Sequence, residues 1–167
     1  MTDTKSQWER SRNMAAIKGK NTKPEMTVRK FLFSKGLRYR IHGKNLPGKP
    51  DIVLKKYKTV IFINGCFWHG HENCRYSHLP KSNVEYWTNK ISNNKKRDSS
   101  IENLLQSQGW KVLRVWECQL KRVNEREKTL ELLFKNIINQ TESYSIENSE
   151  IKTAAEPEGI YSNFSRT

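Results

Sequence analysis

The chain has 167 residues and a mass of 19.7 kDa, enough for one domain with a real core, and no stretch approaches the roughly 18 apolar residues of a membrane span. Thirty-one Lys and Arg against seventeen Asp and Glu give a net charge of +14 and a pI near 9.8, an excess that works against compaction and points to an anionic partner. Nucleic acid is the first candidate and an anionic membrane surface a distant second. No signal-peptide core follows Met1, and three cysteines without a secretory signal imply a reducing compartment.

Residues 1–22 lack a sustained apolar face; Met14 and Ile17 stand isolated among Lys, Arg, Asn and Ser, and the segment reads as an arm with one short helix. A helix begins at "TKPE", where Thr22 caps, Pro24 sits in the first turn and Glu25 completes a capping box. Val28, Phe31 and Leu32 give it an apolar side, and Gly36 ends it. "LRYRIHG" reads as a short strand, "LPGKP" as a turn, "DIVL" as a strand, "KKYK" as a polar turn and "TVIFI" as a fully apolar central strand. Over 84–106, Val84, Trp87, Ile91, Ile101, Leu104 and Leu105 recur at helical spacing around a polar "NNKKRD". "GWKVLRVW" is a further core strand in which Trp110 and Trp116 are candidate core residues. "NEREKTLELLFKNIIN" is an amphipathic helix expected to be capped by Asn124.

Residues 141–167 change character: five Glu against one Lys and one Arg leave −3 there and +17 on residues 1–140. They are expected to form a mobile acidic tail behind a domain spanning 23–140. The order of elements fits a mixed α/β domain with helices on both sides of a sheet.

The stretch "FINGCFWHGHENC", residues 62–74, crowds two cysteines, two histidines and a Phe-Trp pair onto the end of the apolar strand. Cys66, His71 and Cys74 read C-x4-H-x2-C, and with Cys118 they make a Cys3His set suited to a closed, structural Zn²⁺. The alternatives are that Cys118 is a buried core cysteine and that the more distant His78 replaces His71. Such a clip would fasten the loop after the central strand to the strand ending at Trp116 and hold Phe67, Trp68 and His69 rigid. Asp51, opening an apolar strand after "LPGKP" and lying beside the strand that ends near Asn64, is placed to hold Mg²⁺ against a phosphate; it can also simply terminate a turn.

Five blocks in order, "RSRNMAAIKGKNTKPE", "LPGKPDIV", "VIFINGCFWHGH", "YWTNKISNNKKRD" and "GWKVLRVWEC", resemble the very-short-patch repair endonucleases (Vsr family) over roughly residues 8–121. The resemblance implies a restriction-endonuclease-like fold of the PD-(D/E)XK type, with a mixed central sheet flanked by helices. It also implies a Mg²⁺-dependent nick in duplex DNA beside a T:G mismatch arising from 5-methylcytosine deamination. By the same resemblance Asp51 matches the metal-binding carboxylate and the residue at 63, here Ile63, supplies a backbone carbonyl to the metal. His69 matches the catalytic histidine that activates water or relays its proton. Glu25 matches the acidic residue that organises water at the metal. Cys66, His71, Cys74 and Cys118 match the structural zinc ligands.

Asn64 departs from the family, which commonly has His or Asp there; an amide accepts from water or binds a metal, but takes no proton. The ordinary (D/E)-x-K half of the fold's motif is also absent, as in the family. Phe67, Trp68 and Trp87 match aromatics that wedge into the duplex from the major groove, where unstacking is cheapest at a mismatch; their alternative is core packing. Met14 and Ile17 resemble arm residues that approach from the minor groove. Lys90, Asn93, Lys95, Lys96 and Arg97 are expected at phosphates or base edges, with a merely solvated helix face as the alternative for some.

Two rival activities fit the same residues: a restriction-type endonuclease cutting undamaged sites, and a zinc-stabilised protein that binds mismatches without cutting. The expected setting is the cytoplasm, at the nucleoid, as a monomer without membrane contact. A cytosine-5 DNA methyltransferase is the expected functional companion, and contact with general mismatch-repair proteins is expected from the resemblance alone.

Overall fold

The structure, a computed structural model, describes residues 6–16 and 19–153, with backbone alone for Gln7, Arg10, Asn13, Met14 and residues 140–153. Helix α1 (Gln7–Ala15) lies in the basic arm, and α2 (Lys23–Ser34) starts at the expected capping box. Thr22 accepts from the Glu25 N–H, Glu25 reaches back to Thr22, and Gly36 (φ +81) provides the left-handed exit that glycine tolerates.

Strands β1 (Arg40–Ile41), β2 (Ile52–Leu54), β3 (Thr59–Asn64) and β4 (Lys111–Trp116) form one sheet in that order. β1, β2 and β3 pair antiparallel, and β4 runs parallel to β3 after a crossover through α3 (Val84–Ser107). The polar "KKYK" turn is a single 3-10 turn, Lys55–Tyr57, closed by Lys58 in the left-handed region.

The strands' alternation explains the layers. Ile52 and Leu54 of β2, Ile61 of β3 and Val115 of β4 face α2 and α4 (Val123–Thr153), meeting Val28, Leu32, Leu130, Leu133 and Ile137. Val53 and Val60 face the other way, onto Leu105 and the half-buried Ile101, Trp110 and Val112. Each fully buried Leu, Ile or Val side chain contributes about 1.5–3 kcal/mol, so both faces are needed to hold a sheet this small. Helices thus cover both faces, as expected.

Two expectations need correction. Asn124 is the second residue of α4 and does not cap it. The same helix extends past residue 140 to Thr153, into the segment expected as an acidic tail; residues 154–167 lie outside the described residues. Trp116 is not a core residue, because its ring stacks on His71 at a centroid distance of 4.0 Å and 6° between planes.

Candidate active site

The pairing of strands explains why so much chemistry meets at one end of the sheet. β3 and β4 are parallel with Asn64 opposite Trp116, so the residues two positions beyond each, Cys66 and Cys118, emerge side by side. The loop after β3 then turns back: His71 N–H donates to the Cys66 carbonyl at 2.9 Å, and Cys74 follows. Cys66, His71, Cys74 and Cys118 bring one donor atom each within 4.8 Å of one another, with His71 Nδ1 3.4 Å from Cys118 Sγ. His78 is exposed and outside this group.

The donor chemistry fits zinc. Burial pushes the Cys66 thiol up to about 12 and also raises Cys118, so the metal-free cluster resists the ionisation a ligand needs. Cys74 is shifted down, chiefly by the Tyr76 backbone N–H, and burial lowers His71 toward the neutral imidazole that binds metal. A dication in the centre would offset the penalty at the two buried thiols.

β2 is antiparallel to β3, which brings its first flanking residue, Asp51, to the same sheet end. Asp51 Oδ2 accepts from the Ile63 N–H at 2.8 Å. Burial raises Asp51 above its ordinary value; the Ile63 hydrogen bond opposes this, the Glu25 charge adds to it, and His42 and Arg29 pull it down. Such a carboxylate gains from a cation beside it. Glu25, 4% exposed, is locked by Arg29 at 2.6 Å and by its helix-capping bonds. An open cleft of about 540 Å³ has Glu25, Asp51, Ile63, Asn64, Trp68 and His69 in its walls.

The loop carrying His69 is held from the opposite side by one stripe of α3. Asn94 Nδ2 donates to the Trp68 carbonyl at 2.8 Å, and Asp98 Oδ2 lies in hydrogen-bond contact with His69 Nδ1. Gly70 (φ +58) passes so close to Ile91 and Lys95 that a Cβ there would sit 2.6 Å from each. Residues 91, 94, 95 and 98 share a helical face, so the stripe is a docking seat for the loop. A carboxylate at Nδ1 requires the proton on that nitrogen and leaves Nε2 to accept one.

Phe67, Trp68 and Trp87 form an edge-to-face cluster with centroids 5.1, 5.2 and 5.9 Å apart, each half-buried. Lys90, Asn93, Lys96 and Arg97 are exposed along α3, while Lys95 is paired with Glu72 at 3.1 Å. Asn64 is 5% exposed yet borders the cleft. Met14 lies on α1 with its side chain undescribed, and Ile17 falls outside the described residues.

Sequence reasoning missed Asp98, Asn94, His42 and Glu117, all of which touch this end of the sheet. A signal for Asp98 existed: it falls four residues after Asn94 and seven after Ile91, on the face that turns inward. The polar composition of "NNKKRD" concealed it.

Comparisons with known proteins agree on one kinship. A family model described as DNA mismatch endonuclease Vsr matches residues 2–75. The type II nicking enzyme V.NmeAIP of Neisseria meningitidis is 54% identical over 121 residues, 72% of this chain and 86% of the relative. The type II nicking enzyme V.XorIIP of Xanthomonas oryzae is 46% identical over 130 residues, 78% and 95% of the two chains. DNA mismatch endonuclease Vsr of Escherichia coli is 41% identical over 121 residues, 72% and 77% of the two chains.

Proposed function

The chain belongs to the DNA mismatch endonuclease Vsr family, and on that premise we propose that it nicks one strand of duplex DNA beside a T:G mismatch left by 5-methylcytosine deamination. The sheet and its helices are then a restriction-endonuclease-type scaffold that starts very-short-patch repair. The observation that carries this reading is the convergence of Asp51, the His69–Asp98 pair and the Phe67–Trp68–Trp87 cluster around one sheet end.

Asp51 and the Ile63 carbonyl would hold Mg²⁺, which supplies charge neutralisation at the scissile phosphate. His69, oriented by Asp98, accepts the proton of the attacking water through Nε2, and Asp98 stabilises the imidazolium that results. Asn64 orients water without taking its proton. Glu25 contributes negative charge from a fixed place. Cys66, His71, Cys74 and Cys118 would hold Zn²⁺, which would fasten the loop that presents Trp68 and His69. The aromatic cluster wedges into the stack next to the mismatch, where the unstacking cost is lowest. Lys90, Asn93, Lys96 and Arg97 line up along α3 for phosphates or base edges, and residues 1–22, with Met14 and Ile17, approach from the opposite groove. The expected companions are a cytosine-5 methyltransferase and general mismatch-repair proteins, in the cytoplasm, for a monomer.

The single-strand cut agrees with the names of two relatives, both nicking enzymes. Incubation of the zinc-loaded protein with Mg²⁺ and end-labelled T:G or fully matched duplexes tests the reading. One nick confined to the mismatched duplex is expected. Paired cuts in the matched duplex, or binding to T:G without any cut, would replace it with one of the two rival activities.

A further inference from the structure

One donor at this sheet end has no role in the reaction above. His42 directly follows β1, and its backbone N–H donates to the Asp51 carbonyl at 3.2 Å, extending the Ile41–Ile52 pairing by one step. The two residues are therefore cross-strand neighbours. A ring nitrogen of His42, a carboxylate oxygen of Asp51 and one of Glu25 all lie within 4.8 Å of one another. Among the described residues, the His42 ring has no hydrogen-bond partner.

Glu25 is in the opposite condition. Its Oε1 accepts from the Thr22 N–H at 3.4 Å and the Thr22 hydroxyl at 3.0 Å. Its Oε2 accepts from the Asn21 N–H at 3.1 Å and Arg29 Nη2 at 2.6 Å. A carboxylate offers about four lone-pair sites, so Glu25 has none left for a metal unless the start of α2 comes apart. Asp51 has only the Ile63 N–H on Oδ2 and retains capacity for a cation.

We propose that His42, and not Glu25, is the second side-chain ligand of the cation held at Asp51, and that this nitrogen makes the cleft favour first-row transition cations such as Mn²⁺ over Mg²⁺. The inference rests on the assignment of Asp51 as the cation-binding carboxylate. Mg²⁺ is best served by an all-oxygen octahedron, whereas imidazole nitrogen is a ready ligand for transition ions. Glu25 then acts at a distance, through its charge.

The test uses the full chain with its zinc site filled, so that His71 and the cysteines are occupied. Mn²⁺ is titrated in, free ion is counted by electron paramagnetic resonance, and pulsed measurements look for ¹⁴N coupling to bound Mn²⁺. The wild type should show nitrogen coupling. His42→Asn, a residue tolerated at the φ of +49 found here, should lose the coupling and bind Mn²⁺ about tenfold or more weakly, with a smaller change for Mg²⁺. Stoichiometric Mn²⁺ on the wild type without nitrogen coupling overturns the proposal and does not depend on how any variant folds. So does unchanged Mn²⁺ affinity in His42→Asn. If Asp51→Asn also binds Mn²⁺ as the wild type does, the Asp51 assignment itself is wrong and the His42 proposal falls with it.

Discussion

Asp98→Asn isolates what the carboxylate behind His69 contributes. The amide keeps the size and the tether to the loop but removes the negative charge and can present its N–H to Nδ1, which favours the wrong tautomer. His69 and Asp98 side chains are 25% and 17% exposed, so the effective dielectric lies nearer 20 than 80. For charges about 4 Å apart this gives roughly 2–4 kcal/mol of imidazolium stabilisation, present only when His69 holds the extra proton. Lost from the transition state, that energy corresponds to about 30- to 1,000-fold in rate. Single-turnover nicking of a saturating T:G duplex reads the chemical step, and a gel shift reads affinity. We expect the first to fall by that factor and the second to stay within about twofold of the wild type, because the substrate is bound before the imidazolium forms. A nicking rate within threefold of the wild type would refute the assignment of Asp98 as the group that orients His69. Equal losses in rate and binding would reduce it to a structural tether.

Further outcomes are expected at the neighbouring residues. Cys118→Ser should drop zinc from about one ion per chain and cost about 4 kcal/mol, roughly 8–16 °C in melting temperature; metal analysis with calorimetry checks both, and unchanged melting would refute a structural metal. Trp68→Ala should weaken T:G binding by ~1–3 kcal/mol while preserving zinc and nicking at saturation, so matched and mismatched duplexes bind more nearly alike. Arg29→Leu leaves the Glu25 carboxylate buried without its partner and should cost about 3–5 kcal/mol in urea unfolding. Asp51→Asn should abolish nicking and, without divalent cations, melt above the wild type near neutral pH. The sign follows from the raised native value: the folded state favours protonated Asp51, so wild-type stability is complete below the unfolded value and declines as pH rises through the folded one. The gain from Asn should vanish in acid, and a gain independent of pH would contradict its origin.

What local sequence settles here is what depends on neighbours in the chain. The Thr22–Glu25 capping box needs only a three-residue spacing, and the turn around Gly36 needs only a residue free to adopt positive φ. The apolar run over Val60–Ile63 marks a central strand whatever packs on it, and the Cys-His spacing narrows the metal chemistry. The family resemblance placed Asp51 and His69 by position, without geometry. Only the tertiary structure decided which polar groups of "NNKKRD" turn inward: Asn94 and Asp98 meet the loop, while Asn93, Lys96 and Arg97 remain in solvent. Composition cannot distinguish them, since the difference is rotation about α3 relative to a loop some 25 residues earlier. The side-by-side emergence of Cys66 and Cys118 likewise depends on a parallel register between strands separated by the whole of α3. His42 and Asp51 become neighbours through strand pairing across a turn, and Trp116 leaves the core because His71 offers its ring a partner. Propensity and spacing act along the chain, whereas ligand sets and proton relays are fixed by register and packing between segments far apart in it.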